Sequence, residues 1–379
     1  MKVLLLSAYG HCRGGSQRSL LELFGALVAR GVAVCVASPE GPFVAALPRS
    51  VRWLHLPSTH ALDGRLQQLR PDNVHRLVRV LRAEKPDVVH TFQFGSHLLA
   101  RLAGALAHRP VLHTLLGPLS PGERFGGGHV GAIAGGLLAD AVARGADPHG
   151  AHVVPSWLDL AAFPRTPLPE RARVVLLTRL DGPLARLALV FAETARRLAP
   201  SGVSFAIAGD GTALERVRDA PLERLGHVED VQTVLGGARV VVGVGRALLE
   251  AMASGRAAVC LGRTGFGGMV GPERVGRLAF HNFSGRGFGP GAADALVAEL
   301  RTLLEDPAGL QTRVDWGHGW VERYHDVRSA AAHFESLYSE AVARGPEPHG
   351  EALALVARLG GARLWRGLVR AAGPLSGAP

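Results

Sequence analysis

The chain has 379 residues, 47% of them hydrophobic, enough for two or three domains with a large core, which excludes a disordered chain. Its net charge of +10 is a surplus of arginine and favours nucleic acid, anionic lipid or phosphorylated small molecules; scattered arginines and 6% aromatics make nucleic acid the poorest fit. Cys12, Cys35 and Cys260 are isolated, which excludes a disulfide framework or a zinc-ligand spacing, and no apolar run reaches the ~18 residues of a membrane span, so a soluble or peripheral cytoplasmic protein is expected.

Lys2–Ala8 reads as a buried strand followed by the glycine pair Gly14-Gly15. Ser16 is the expected N-cap of a helix over Gln17–Arg30, which Gly31 stops. Val32–Ala37 is a second strand, Val74–Glu84 a helix, Pro86–His90 a third strand and Val111–Leu115 another. Strand alternating with helix predicts a doubly wound parallel sheet, whose working residues gather at the carboxyl ends of the strands. Those ends are Tyr9 to Ser16, His90 to His97 and His113 to Gly117, so His90, His97 and His113 are candidates to line a cleft. For each of them a core or surface histidine is the alternative.

Pro155, Pro164, Pro167 and Pro169 mark an interdomain linker. Beyond it the alternation resumes: a strand over Arg173–Thr178 leads into Arg179-Leu180-Asp181-Gly182-Pro183 and a helix through Arg197, and a strand over Val203–Ala208 leads into Gly209-Asp210-Gly211. The richest stretch is Ala238–Val259. Val240–Val242 is a strand, Gly243 and Gly245 break it, Arg246–Ser254 is helical, Gly255 ends the helix, and Ala257–Leu261 is the next strand. A glycine loop feeding a helix N-terminus offers free amides and partial positive charge to a phosphate. Arg246 in the first turn opposes the helix dipole, and Arg before Glu is the poorer order for an i,i+4 pair with Glu250. The expectation is therefore that Arg246 faces an anion and Glu250 accepts from hydroxyls; a plain ion pair is the alternative. Arg263 to Gly268 is a basic glycine loop that either closes over a ligand or is a surface turn. A helix over Ala292–Leu304 and one over Val327–Arg344 follow, then an arginine-rich segment, Glu351–Ala372, that suits anionic lipid or a helix docked on its own protein.

The run from Gly243 through Arg246 and Glu250 to Gly255 resembles the nucleotide-sugar segment of GT-B glycosyltransferases of the family 4 (group 1) type. Val154, Pro155, Leu158, Asp159 and Phe163 resemble the family's hinge, with Ser156-Trp157 in place of Asn-Gly; Thr178-Arg179-Leu180 and Ala208-Gly209-Asp210-Gly211 resemble two further segments. The resemblance implies an α/β, GT-B fold of two Rossmann-like doubly wound parallel-sheet domains facing a cleft. It assigns 1–160 to the acceptor side, 161–325 to the nucleotide sugar and 326–345 to a helix crossing back; beyond it, composition makes 346–379 a basic amphipathic tail. It further implies retaining transfer from a nucleotide diphosphate sugar to a hydroxyl of a glycan or lipid-linked acceptor, as in cell-envelope synthesis, with no cofactor and no nucleic-acid partner. Arg179, Arg246, His113 and His90 become the catalytic candidates. Gly14, Gly15, Arg179, Gly209, Gly245, Arg246 and Glu250 become the nucleotide-sugar candidates. Val242, Leu184 and Leu116 stand where the family carries a first glutamate, a lysine and a histidine. No Asp-x-Asp occurs, so a metal clamp has no obvious ligands and metal-independent transfer is expected. A nucleotide-sugar-binding protein that has lost turnover, or a nucleotide-sugar epimerase, shares the fold.

Overall fold

Strand and helix alternate along the chain because short β-branched runs, bounded by Gly and Pro, are separated by segments with a helical apolar period. The computed structural model describes residues 1–8, 10, 14–57, 71–92, 94–119, 123–346, 348–352 and 354. They form two units: Met1–Pro155 with the chain from Val327 onward, and Ser156–Asp326.

In unit 1 the chain runs β1 (Lys2–Leu6), α1 (Gly15–Ala29), β2 (Ala33–Ser38), α2 (Pro42–Ala45), β3 (Arg52–His55), α3 (Pro71–Glu84), β4 (Val88–Thr91), α4 (Phe94–Ala107), β5 (Val111–Leu115), β6 (His129–Ala132), α5 (Gly135–Val142) and β7 (Ala151–Val153). All pairings are parallel, in the order β3-β2-β1-β4-β5-β6-β7. Leu4, Leu6, Val89, Leu77, Leu81, Leu99 and Leu102 share one core cluster between sheet and helices.

Unit 2 runs β8 (Arg173–Leu177), α6 (Ala185–Leu198), β9 (Ser204–Ala208), β10 (Glu223–Gly226), α7 (Val231–Gly236), β11 (Val240–Gly243), α8 (Arg246–Ala253), β12 (Ala257–Leu261), β13 (Phe266–Met269), α9 (Val275–Phe280), α10 (Ala293–Glu305) and α11 (Pro307–Tyr324). Its order is β10-β9-β8-β11-β12-β13, parallel except for the antiparallel edge strand β13. Helix α12 (Val327–Arg344) then belongs to unit 1, where it packs beside α1 and buries Ala331, Phe334, Leu337 and Tyr338.

Three expectations shift. Gly14, at φ 122° and ψ 163°, caps α1, which begins at Gly15; Ser16 lies inside the helix and its hydroxyl donates to Gln17 Oε1 at 3.2 Å. Unit 2 begins at Ser156 rather than at 161: the amide of Leu158 donates to the His325 carbonyl at 2.8 Å, and Leu158 and Phe163 enter the core beside β11. Phe266–Met269 is a strand rather than a loop, and its edge amide at Met269 donates to Glu299 Oε1 at 2.9 Å. The segment expected to be helical over Glu351–Ala372 lies outside the described residues from 355 on.

Candidate functional site

Each sheet reverses its winding once. In unit 2 the chain goes from β8 outward to β9 and β10, then returns to β11 on the other side of β8 and continues to β12. Loops leaving β8 and β11 therefore part company, and the crevice they leave is where an open parallel sheet takes its ligand. Arg179 follows β8, and Gly243–Gly245 closes β11.

The strap carrying Arg179 is pinned by its neighbour. The amide of Thr178 donates to Ala208 O (3.1 Å), that of Leu180 to Asp210 O (2.8 Å) and that of Thr212 to Asp181 Oδ1 (3.1 Å). Gly209 (φ 146°) makes this approach possible, since a Cβ there would stand 1.8 Å from the Thr178 carbonyl oxygen. Its amide is bonded to Gly226 O at 2.7 Å. Gly209 is thus required by the turn itself, whatever else it borders. Arg179 itself is exposed and forms no hydrogen bond or ion pair with a described residue.

Across the crevice, Gly245 adopts φ 56° and ψ −128°, a glycine conformation, and caps α8. Its amide donates to Phe283 O at 3.1 Å. Arg246 turns back: its Nε donates to Glu250 Oε1 at 2.7 Å and its Nη1 to the Trp157 carbonyl at 3.2 Å. The two side chains are only 12% and 7% exposed. The i,i+4 pair therefore forms, against the expectation that Arg246 faces an anion and leaves Glu250 to hydroxyls. Dipole and order arguments hold for exposed helices in water. Removed from water, an opposite charge 2.7 Å away outweighs both.

The loop after β12 is a tight turn, Gly262 N donating to Gly265 O at 2.9 Å. Cβ atoms at Gly262 and Gly265 would stand 1.8 Å from Ser284 O and 2.3 Å from Gly285 O, so the backbone is wedged in place. Arg263 and Thr264 are exposed at its tip. Sequence reasoning passed over Asn282, which accepts a hydrogen bond at Oδ1 from Ser156 Oγ (3.0 Å) and borders Gly245.

In unit 1 the winding reverses between β1 and β4, next to Gly14 and Gly15; Tyr9 and residues 11–13 lie outside the described residues. The histidines sit deeper than expected. His90 lies within β4, fully buried, with Nδ1 on the Tyr338 hydroxyl and Nε2 on Thr114 Oγ1, both at 2.8 Å. Both ring nitrogens are engaged, so His90 is a core histidine and not a cleft residue. His113 lies within β5, equally buried; Nδ1 meets Thr91 Oγ1 at 2.8 Å, and Nε2 has no hydrogen-bond partner among the described residues. Its ring stacks on His97 at 4.3 Å between centroids, and burial pushes its pKa down to about 3. It is a neutral imidazole shielded from solvent, which corrects its placement at the cleft.

Comparison with protein families settles the lineage. Residues 13–133 match the model described as Glycosyltransferase Family 4, and residues 171–306 match Glycosyl transferases group 1. The chain is a GT-B glycosyltransferase of this family. No curated protein sequence matches it. It is similar to the solved structure of HepE from Anabaena in complex with UDP and glucose (TM-score 0.68, 18% identity, covering 90% of this chain and 100% of that one). It is also similar to a glycosyltransferase from Rickettsia africae (0.70, 16%, 90% and 98%) and to sucrose-phosphate synthase from Thermosynechococcus elongatus (0.66, 17%, 90% and 99%). At such identities the likeness establishes the two-domain fold.

In this glycosyltransferase the three departures from the family pattern are apolar for local reasons. Val242 is fully buried in β11, Leu184 packs on the unit 2 core, and Leu116 is half-buried just after β5. Arg186, the cation nearest to Leu184 in sequence, donates to Gly291 O at 3.2 Å.

Proposed function

We propose that this glycosyltransferase moves a sugar, with retention at the anomeric carbon, from a nucleoside diphosphate sugar held by unit 2 to a hydroxyl acceptor. The observation that carries the reading is Arg179: an exposed guanidinium without a described partner, on a strap pinned beside the sheet's winding reversal. A guanidinium so placed grips a diphosphate in two-pronged fashion and keeps its charge when desolvated. As the bond between sugar and phosphate oxygen breaks, negative charge grows on the departing diphosphate, and a fixed cation stabilises it without reorganising. The proposed donor carries uridine, since HepE was solved with UDP and with UDP-glucose. We further propose that Arg179 carries the diphosphate without a divalent ion, and that the acceptor is a glycan or lipid-linked hydroxyl reached at an anionic cytoplasmic membrane face, which the charge of +10 favours. No helix among the described residues is long and apolar enough to cross a membrane.

The test is release of free nucleotide from a panel of nucleotide sugars, with and without chelator, and with anionic vesicles present or absent. Arg179→Ala should weaken nucleoside diphosphate binding roughly ten- to hundredfold. Unchanged binding would remove Arg179 from the site, and turnover abolished by chelator and restored by Mg²⁺ would overturn the metal-free reading. The Arg246–Glu250 pair favours one second reading, a protein that binds the donor without turning it over, because the carboxylate is already engaged. Tight binding with no nucleotide released from any panel member would select it.

A further inference from the structure

Helix α9 ends in a turn whose backbone has no need of the side chain it carries. The amide of Asn282 donates to Ala279 O at 3.0 Å and that of Phe283 to Leu278 O at 2.7 Å. These are the paired bonds of a Schellman motif, in which the left-handed position is most often glycine because a Cβ is strained there. Here it is Asn282, at φ 51°, and Phe283 follows at φ 51°. Phe283 has a packing reason: it is buried against Trp320 and Leu278, and its carbonyl accepts from Gly245 N and Cys260 Sγ. Asn is the residue that most readily takes the left-handed position after glycine, so the turn tolerates Asn282, and what the side chain touches is the informative part.

Its side chain points to another task. Ser156 Oγ donates to Oδ1 at 3.0 Å, which fixes the amide plane and makes Nδ2 the outward end. Nδ2 donates to no described residue and lies 3.9 Å from where a Cβ on Gly245 would stand. A Cβ at Gly245 would also stand 3.7 Å from the Asn282 carbonyl oxygen, so the space its absence leaves is lined by the α8 loop on one side and by Asn282, carbonyl and carboxamide, on the other. Besides Arg179, two side-chain donors near this end of the sheet are already used: Arg246 by Glu250 and Trp157, and Arg186 by Gly291.

We propose that Asn282, aligned by Ser156, is a donor-binding residue whose Nδ2 donates to a phosphate oxygen of the nucleoside diphosphate beside Gly243–Gly245. This rests on the donor assignment above. Three variants of the full chain test it by calorimetry with UDP, GDP, ADP and, as the phosphate-free comparator, uridine. Asn282→Gly keeps the left-handed turn and removes the amide; Asn282→Asp keeps the shape and replaces the donor with a repelling carboxylate; Ser156→Ala frees the amide plane. Asn282→Gly should weaken diphosphate binding about tenfold, Asn282→Asp further and Ser156→Ala less. Uridine affinity should be unchanged, and the melting temperature of Asn282→Gly should equal or exceed the parent's. Diphosphate affinities of Asn282→Gly and Asn282→Asp equal to the parent's would overturn the inference, as would equal losses for uridine and UDP. A parent chain that binds none of the three diphosphates would instead remove the donor assignment on which it rests.

Discussion

Arg246 sits in the first turn of α8, where a cation meets the positive end of the helix, yet it is kept there by a carboxylate one turn on and a carbonyl from Trp157. Removing the guanidinium leaves Glu250 buried without this counter-charge, a loss of about 3 kcal/mol. Arg246→Ala should therefore lower the melting temperature by roughly 6–12 °C for a unit of this size; a calorimetric scan matching the parent would show the pair to be worth nothing. Sequence exposed both residues and their spacing. It did not expose their burial, which comes from the hinge segment folding onto α8 from 89 residues away. The same blindness covers the histidines. His90 and His113 follow the β-strand alternation, so their positions near strand ends were legible, but Tyr338, which occupies His90, is 248 residues distant.

At the scale of elements, legibility followed chemistry. Val111–Leu115, Ala257–Leu261 and Val327–Arg344 stand where β-branched runs and a helical stripe put them. Short or edge strands such as β3, with no buried residue, and β13, with two glycines, carry too little apolar signal to stand out from loops. Glycine pairs were the other weak point, since the same residue serves a phosphate or a close backbone crossing. Gly209 illustrates the second use. Gly209→Ala would place a Cβ 1.8 Å from Thr178 O and should destabilise unit 2 by roughly 2–4 kcal/mol, loosening the Arg179 strap with it. Gly236→Ala, at the end of α7 with nothing within 4 Å, is the matched control and should be neutral or stabilising by up to about 1 kcal/mol. Urea titrations of the two variants decide; equal midpoints would refute the close crossing.

Across the whole molecule, unit 1 is assembled from two distant pieces of chain, and its polar centre makes it acid-sensitive. Burial holds the His90 and His97 imidazoles well below their usual range and His113 near 3. Each stays neutral when folded and takes up a proton when unfolded below about pH 6.5, so its contribution is complete above that value and lost as pH falls. The expected slope is ~1.4 kcal/mol per pH unit per histidine in that window. Protection factors in β4 and β5, corrected for the intrinsic slowing of amide exchange toward acid, should fall between pH 7 and 5; unaltered protection would refute the assignment. The divided unit also orders events on the ribosome. Ser156–Asp326 is one uninterrupted segment and can close as soon as it emerges, whereas unit 1, although made first, lacks α12 and the buried Phe334, Leu337 and Tyr338 until later. At about 5–20 residues per second the delay is roughly 10–30 s. Throughout that interval the faces of α1, β4 and β5 that α12 covers stay open, so the earlier of the two units to be translated is the later to finish, and a ribosome that stalls before Tyr338 leaves unit 1 with that apolar surface exposed while unit 2 is already whole.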